Sequence, residues 1–137
     1  MDWKLEVVVV PVSDVNRSKQ FYSEQLGFKV DVDHRPNEHF RVVQVTPPGS
    51  ACSVTFGTGL ADMPPGSLKG LQLVVSDVEA ARAELAARGV EVSTVKHFED
   101  GAMAEGPGGD WNSFIFFSDP DGNAWAVQQK PAQPTAS

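Results

Sequence analysis

Basic side chains are scarce in this 137-residue chain: 11 lysines and arginines stand against 18 aspartates and glutamates, a net charge of −7 at pH 7. That balance repels phosphate backbones and anionic lipid surfaces and leaves no basic stripe to bind either, so neither nucleic acid nor a membrane is expected as a partner. Cysteine is rarer still. Cys52 alone excludes an internal disulfide framework and fits a reducing compartment. Long apolar runs are missing too. The stretch Val7–Val10 follows Asp2, Lys4 and Glu6 and falls far short of a signal core or a membrane span, so a cytoplasmic location is expected. The length suits one domain over 1–130 that buries a core without metal or disulfide. Residues 131–137, with Pro131 and Pro134 and no apolar periodicity, are expected to fray.

What the chain does have is a repeat. The run Pro47-Pro48-Gly49-Ser50-Ala51-Cys52-Ser53-Val54 returns as Pro120-Asp121-Gly122-Asn123-Ala124-Trp125-Ala126-Val127, both fitting Pro-x-Gly-x-Ala-x-x-Val. Upstream, Val12-Ser13-Asp14-Val15 returns as Val75-Ser76-Asp77-Val78, and Leu26-Gly27-Phe28-Lys29-Val30 is echoed by Arg88-Gly89-Val90-Glu91-Val92. Three landmarks in the same order mean two copies of one supersecondary unit, over 1–62 and 67–130, linked by Met63-Pro64-Pro65-Gly66.

Each copy reads as βαβββ. In the first, Leu5–Val12 is a buried strand, Asp14 an N-cap, and Val15–Leu26 a helix with Phe21, Tyr22 and Leu26 on one face, closed by Gly27. Strands follow at Phe28–Asp33, His39–Thr46 and Cys52–Gly57. The second copy gives Gly70–Val75, a helix over Val78–Arg88 capped by Asp77 and closed by Gly89, then Val90–His97, Asn112–Ser118 and Asn123–Gln129. The copies differ between their second and third strands. There the second carries Glu99–Trp111, with four glycines and a proline, a length that marks a functional or mobile loop.

Taken together, Pro11-Val12-Ser13-Asp14-Val15, Phe21-Tyr22 with Leu26-Gly27-Phe28, and Ser118-Asp119-Pro120-Asp121-Gly122-Asn123 resemble the vicinal oxygen chelate superfamily of glyoxalases, bleomycin-resistance proteins and extradiol dioxygenases. The resemblance implies an α+β fold in which two βαβββ modules form an open eight-stranded curled sheet around a cavity. It also implies a divalent metal held by His or Glu on the first and fourth strand of each module, whose open position polarises a substrate. The family spacing lands on Val7, Ser53, Leu71 and Ala126, none of them a serious ligand, so no metal and no other cofactor are expected, and metal-dependent glyoxalase or dioxygenase activity is disfavoured. His34, Glu38 and His39 cluster near a turn, and His97 and Glu99 stand two apart on one strand face. Neither group has a third partner placed by sequence.

Period-two alternation through Ser53 and Ala126 turns Ala51, Thr55, Ala124 and Gln128 toward the same cavity, and Cys52, Val54, Phe56, Trp125 and Val127 toward the helices. For the third strands both parities stay open: His39, Arg41 and Val43 or Phe40, Val42 and Gln44, and Asn112, Phe114 and Phe116 or Ser113, Ile115 and Phe117. Facing the cavity, Arg41 is a clamp for a carboxylate or phosphate; facing away, it is a solvated charge. Trp111 either stacks on a planar ligand or anchors its loop.

The expected ligand-binding set is therefore Ser53, Thr55, Arg41, Trp111, Phe114 and Gln128. Two functions fit. One is metal-independent binding of a small, planar organic molecule; the other is a lyase, isomerase or cyclase using His97 and Glu99 as proton carriers. A homodimer is expected because pairing would close exposed strand edges.

Overall fold

Two aspartates start the two helices. In the computed structural model, which describes residues 1–132, the Asp14 carboxylate accepts from the Arg17 N–H at 3.1 Å and opens α1 (Val15–Gln20). Asp77 accepts from the Ala80 N–H at 3.1 Å and opens α2 (Val78–Ala87). Each side-chain oxygen satisfies an amide that the helix itself leaves unpaired. The expected frayed tail lies outside the described residues from position 133 on.

The chain divides into two compact units, the first made of Met1–Leu68 with Asp119–Asn123 and the second of Lys69–Ser118 with the residues from Ala124 on. Unit 1 is the expected βαβββ. Its strands β1 (Val7–Val9), β2 (Lys29–Asn37), β3 (Phe40–Thr46) and β4 (Ser53–Thr58) lie in the order β1-β4-β3-β2, with β1 parallel to β4 and the rest antiparallel. The register pairs Val45 with Val54 and Val43 with Phe56. Directly paired residues share a face, and this one is the core: Val43, Val45, Phe56 and Tyr22 are all fully buried. The expected helix Val15–Leu26 does not run evenly to its end. After Gln20 the turn Phe21–Gln25 widens to π spacing, with the Leu26 N–H donating to the Phe21 carbonyl at 3.0 Å. Phe21 and Tyr22 both enter the core there, their rings edge to face at 5.2 Å.

The motif Asp119-Pro120-Asp121-Gly122-Asn123 is built into that unit as an internal scaffold. The buried Asp119 carboxylate accepts from the Tyr22 hydroxyl at 2.6 Å, the Asn123 amide at 2.7 Å and the backbone N–H groups of Asp121 and Asn123. Asn123, also fully buried, donates to the Pro11 carbonyl and accepts from the Leu68 N–H. Gly66 is needed beside it: its φ is +81°, and a Cβ there would sit 2.1 Å from the Asp121 carbonyl oxygen. The residues that carry the family resemblance thus act on the fold, each polar atom meeting a partner as burial requires.

Unit 2 holds β5 (Leu71–Val75), β6 (Lys96–Glu99), β7 (Ala102–Glu105), β8 (Phe114–Ser118) and β9 (Ala124–Gln129) in the order β5-β9-β8-β6-β7. Five strands here make nine among the described residues, one more than the expected eight. The extra one is β7, inside the segment Glu99–Trp111 read above as a long loop. Asp100 (φ 51°) and Gly101 (φ 80°) form a tight left-handed turn of the kind an Asp-Gly pair favours, and the chain folds straight back on β6. The strand expected from Val90 begins only at Lys96, although Val90 and Val95 are still buried. Pairs Ile115–Val127, Phe117–Trp125 and Leu73–Val127 define the core face of this sheet, with the rings of Phe117 and Trp125 stacked at 5.9 Å.

Candidate functional site

The register sorts each sheet into a core face and a far face. In unit 1 the far face carries Ser53 and Thr55, opposite Val7 and Val9 on β1 and beside Thr46 and Gln44 on β3. Both are small, polar and 7% exposed. A neighbour that sequence reasoning did not find completes the group. The pairing steps from Val30–Val45 to Val32–Gln44, so Asp31 is the extra residue of a β-bulge. Its carboxylate accepts from the Thr46 hydroxyl, and Thr46 meets the Ser53 hydroxyl at 2.6 Å. Asp31 lies two residues after Lys29, the direct partner of Thr46, so alternation puts it on this face, and the register step after it, which has no sequence signature, turns Asp33 toward Val43.

In unit 2 the far face carries Gln128, paired with Phe114 and Val74, and Ala126, paired with Phe116 and Gln72. Phe98 on β6 joins them. Its ring meets Phe114 edge to face at 5.5 Å, and Phe114 stacks with Phe116 at 6.1 Å. The small Ala124 and Ala126 keep space beside this aromatic row. Amides run along its edge: Gln72 donates to Gln128 at 2.7 Å, and Gln128 donates to the Trp111 carbonyl at 2.7 Å. Trp111 is 45% exposed with φ at +62°, a conformation that costs a bulky L-residue about 1–2 kcal/mol. Its neighbour fixes it. The Asn112 side chain accepts from the Phe98 N–H at 2.8 Å and donates to the Phe98 carbonyl at 2.9 Å, standing in for a strand partner. Phe98 and Gln72 were missed from sequence: Phe98 lay just past the expected strand Val90–His97 and before the expected loop Glu99–Trp111, and the face of Gln72 was misassigned.

Three expected residues lie elsewhere. Arg41 pairs with Thr58 and shares the helix side of its sheet with Val43, not the far face with Ser53 and Thr55. Its guanidinium donates twice to Asp33 at 3.0 Å and once to Asn16 at 2.7 Å. Arg41, and then Lys19, hold Asp33 down at about 2. An arginine committed to this network is not a free anion clamp. His97 and Glu99 do meet, at 3.1 Å, and the other ring nitrogen of His97 meets the Gly106 carbonyl at 2.8 Å. Their strand partners are Ala104 and Ala102, on the side of β6 opposite Phe98 and Phe114. The Gly106 carbonyl first and Glu99 second push the imidazole up from its ordinary value. Cys52, expected in the core, is only half-buried.

The positions where a metal would be held can be checked one unit at a time. Val7 and Ser53 are direct partners in unit 1. In unit 2 the partner of Ala126 is Gln72; Leu71 pairs with Trp125 on the core face, so the earlier assignment to Leu71 is one residue off. A valine, a hydroxyl, an amide and an alanine offer no imidazole or carboxylate, and a divalent ion does not fit this set. Among the described residues no three His, Cys, Asp or Glu side chains gather elsewhere to replace it. A cavity of about 230 Å³ in unit 1, lined by Val10, Pro11, Gly57, Leu60 and Met63 among others, contains none of the expected residues. Its volume is below the range of about 300–1,000 Å³ that drug-sized ligands occupy.

Repeat, fold and motif scaffold converge with direct comparison. Residues 4–127 match the Glyoxalase/Bleomycin resistance protein/Dioxygenase superfamily, and the chain belongs to it. It is similar to TnmS3, an antibiotic binding protein from Streptomyces sp. CB03234, at 37% identity over 95% of this chain and 98% of that one, with a TM-score of 0.76. A glyoxalase/bleomycin resistance protein from the same strain is 38% identical over 92% of this chain and all (100%) of that one, with a TM-score of 0.72. The uncharacterized protein YetH of Bacillus subtilis strain 168 is 24% identical over 133 residues, 92% of this chain and 98% of that one. No helix among the described residues is long and apolar enough to cross a membrane.

Proposed function

We propose that this chain binds a small, planar organic molecule of the antibiotic type, without a metal and without turnover, and that it does so as a homodimer. The observation that carries the reading is the aromatic row Phe98, Phe114 and Phe116 on the far face of unit 2, bordered by the Gln72–Gln128–Trp111 amide chain. Flat rings offer stacking area at low entropic cost, and the amides fix a ligand's orientation. Similarity over nearly the whole length to an antibiotic binding protein supports the same reading. The alternative, acid–base catalysis by His97 and Glu99, has less behind it, since the pair lies on the other side of β6 from the aromatic row.

Calorimetry against a panel of aromatic antibiotics tests this. A ligand present at 100 times its dissociation constant should add about 2.7 kcal/mol, which raises the melting temperature of a chain this size by roughly 10 °C. Trp111→Gly is the informative variant because glycine accepts the left-handed backbone that tryptophan strains to hold. It should keep the fold and weaken a confirmed ligand roughly tenfold, with chelator making no difference. No hit across the panel, or a hit unaffected by Trp111→Gly and Phe114→Ala, sinks the proposal.

A further inference from the structure

Hydrogens can be counted through the bulge of unit 1. The Thr46 hydroxyl carries a single hydrogen, and it goes to the Asp31 carboxylate. The contact of Thr46 with Ser53 at 2.6 Å therefore has one possible direction, with Ser53 donating to the Thr46 oxygen. The hydrogen of Ser53 is then spent, and its hydroxyl has no other partner among the described residues. What Ser53 retains is lone-pair capacity, made more electron-rich by a chain that ends on a carboxylate. Val7, directly opposite Ser53, and Val9 and Val42 supply apolar surface on the same face.

From this we infer that Asp31, Thr46 and Ser53 form a donor-selective subsite, which accepts the hydrogen of a hydroxyl or amine on an otherwise apolar ligand and disfavours ethers, carbonyls and anions. A ligand oxygen lacking a hydrogen would press its lone pairs against those of Ser53, leaving two desolvated acceptors unpaired. The inference rests on the small-molecule reading above and adds to it the functional group that unit 1 selects.

Two probes matched in shape decide it: 2-naphthol, which can donate, and 2-methoxynaphthalene, which cannot, titrated into the isotope-labelled full chain by NMR at pH 7. The wild-type chain should prefer 2-naphthol by about tenfold or more, with shifts at Ser53, Thr46 and Val7. Thr46→Val keeps volume and strand character but frees the Ser53 hydrogen, so the preference should fall below about twofold. Asp31→Ala, at an exposed position, should produce the same loss should the valine variant fail to fold. Without any probe, the wild-type chain should show a slowly exchanging Thr46 hydroxyl proton that Asp31→Ala removes. Equal wild-type affinity for both probes, an unchanged preference in both variants, or no protected Thr46 hydroxyl overturns the relay and leaves small-molecule binding standing. Failure of both probes to bind the wild-type chain overturns the binding reading at this face and the relay with it.

Discussion

Tyr22, the one tyrosine of the chain, has its ring in the core of unit 1 and its hydroxyl on Asp119 at 2.6 Å. The ring contacts Phe28 and Phe56 at 6.0 and 5.4 Å, so packing alone would be served by phenylalanine. The hydroxyl is what Asp119 needs, because a buried carboxylate is stable only when its oxygens are fully hydrogen-bonded. Tyr22→Phe should therefore cost about 1.5–3 kcal/mol, at the upper end for a neutral hydroxyl, since the acceptor left behind is a carboxylate. Urea denaturation checks it: the midpoint should fall with the slope unchanged, and a midpoint within error of wild type would show that water replaces the phenol without loss. The same contact joins Phe21-Tyr22 to Asp119–Asn123, two of the stretches that carry the family resemblance. They are two halves of one buried network.

At the scale of elements, the hairpin of β6 and β7 is where sequence and structure part most clearly. The caps at Asp14 and Asp77 were legible because a short acceptor before an apolar period has one physical use. The paired core faces were half legible: period two separates the faces without saying which one is buried, so Arg41 stayed open until the register put it beside Val43. One residue of slip changes a strand's face, and that is how Leu71 was taken for Gln72. The hairpin was missed since glycine-rich composition outweighed its one local signal, Asp100-Gly101. His97 ties this hairpin to the chain beyond it, holding Gly106 through one ring nitrogen and Glu99 through the other. Only the protonated imidazole can donate to both acceptors, which is why its pKa is raised in the folded chain. A raised folded value means that the stabilisation is complete below the ordinary histidine value near 6.5 and is lost as pH rises through the folded one. Glu105, held below the usual carboxylate range by Lys96 and then Thr94, keeps its charge over that window. Hydrogen exchange in Ala102–Glu105, corrected for intrinsic rates, should thus be less protected at pH 8 than at pH 6. His97→Gln should abolish the difference, and a pH-independent wild type would assign the hairpin's order to its backbone ladder alone.

For the molecule as a whole, the repeat announced the class of fold because two similar half-length modules with a helix each leave few architectures open. The ligand was not legible in the same way. The proposed specificity rests on the Asp31–Thr46–Ser53 chain, an amide standing in for a strand at Asn112 and a left-handed Trp111, arrangements that residue types do not encode. Assembly belongs to this scale too, and the proposed homodimer is argued from exposed apolar surface. Strand β1 ends the sheet of unit 1, so one of its edges has no partner within that sheet. The segment before it exposes Met1, Trp3 and Leu5 at 101%, 87% and 74%, every second residue, followed in the same phase by Val7 at 39%. A stretch whose alternate residues are apolar and exposed, beside that strand edge, is a template for pairing, and a second copy of the chain would cover both features at once. Light scattering at micromolar concentration should then give twice the 14.7 kDa chain mass. Replacing Trp3 and Leu5 together by glutamate should yield a folded monomer, because neither contributes to the core. A wild-type mass near 14.7 kDa would refute the dimer. A double variant that stays dimeric would move the interface away from β1.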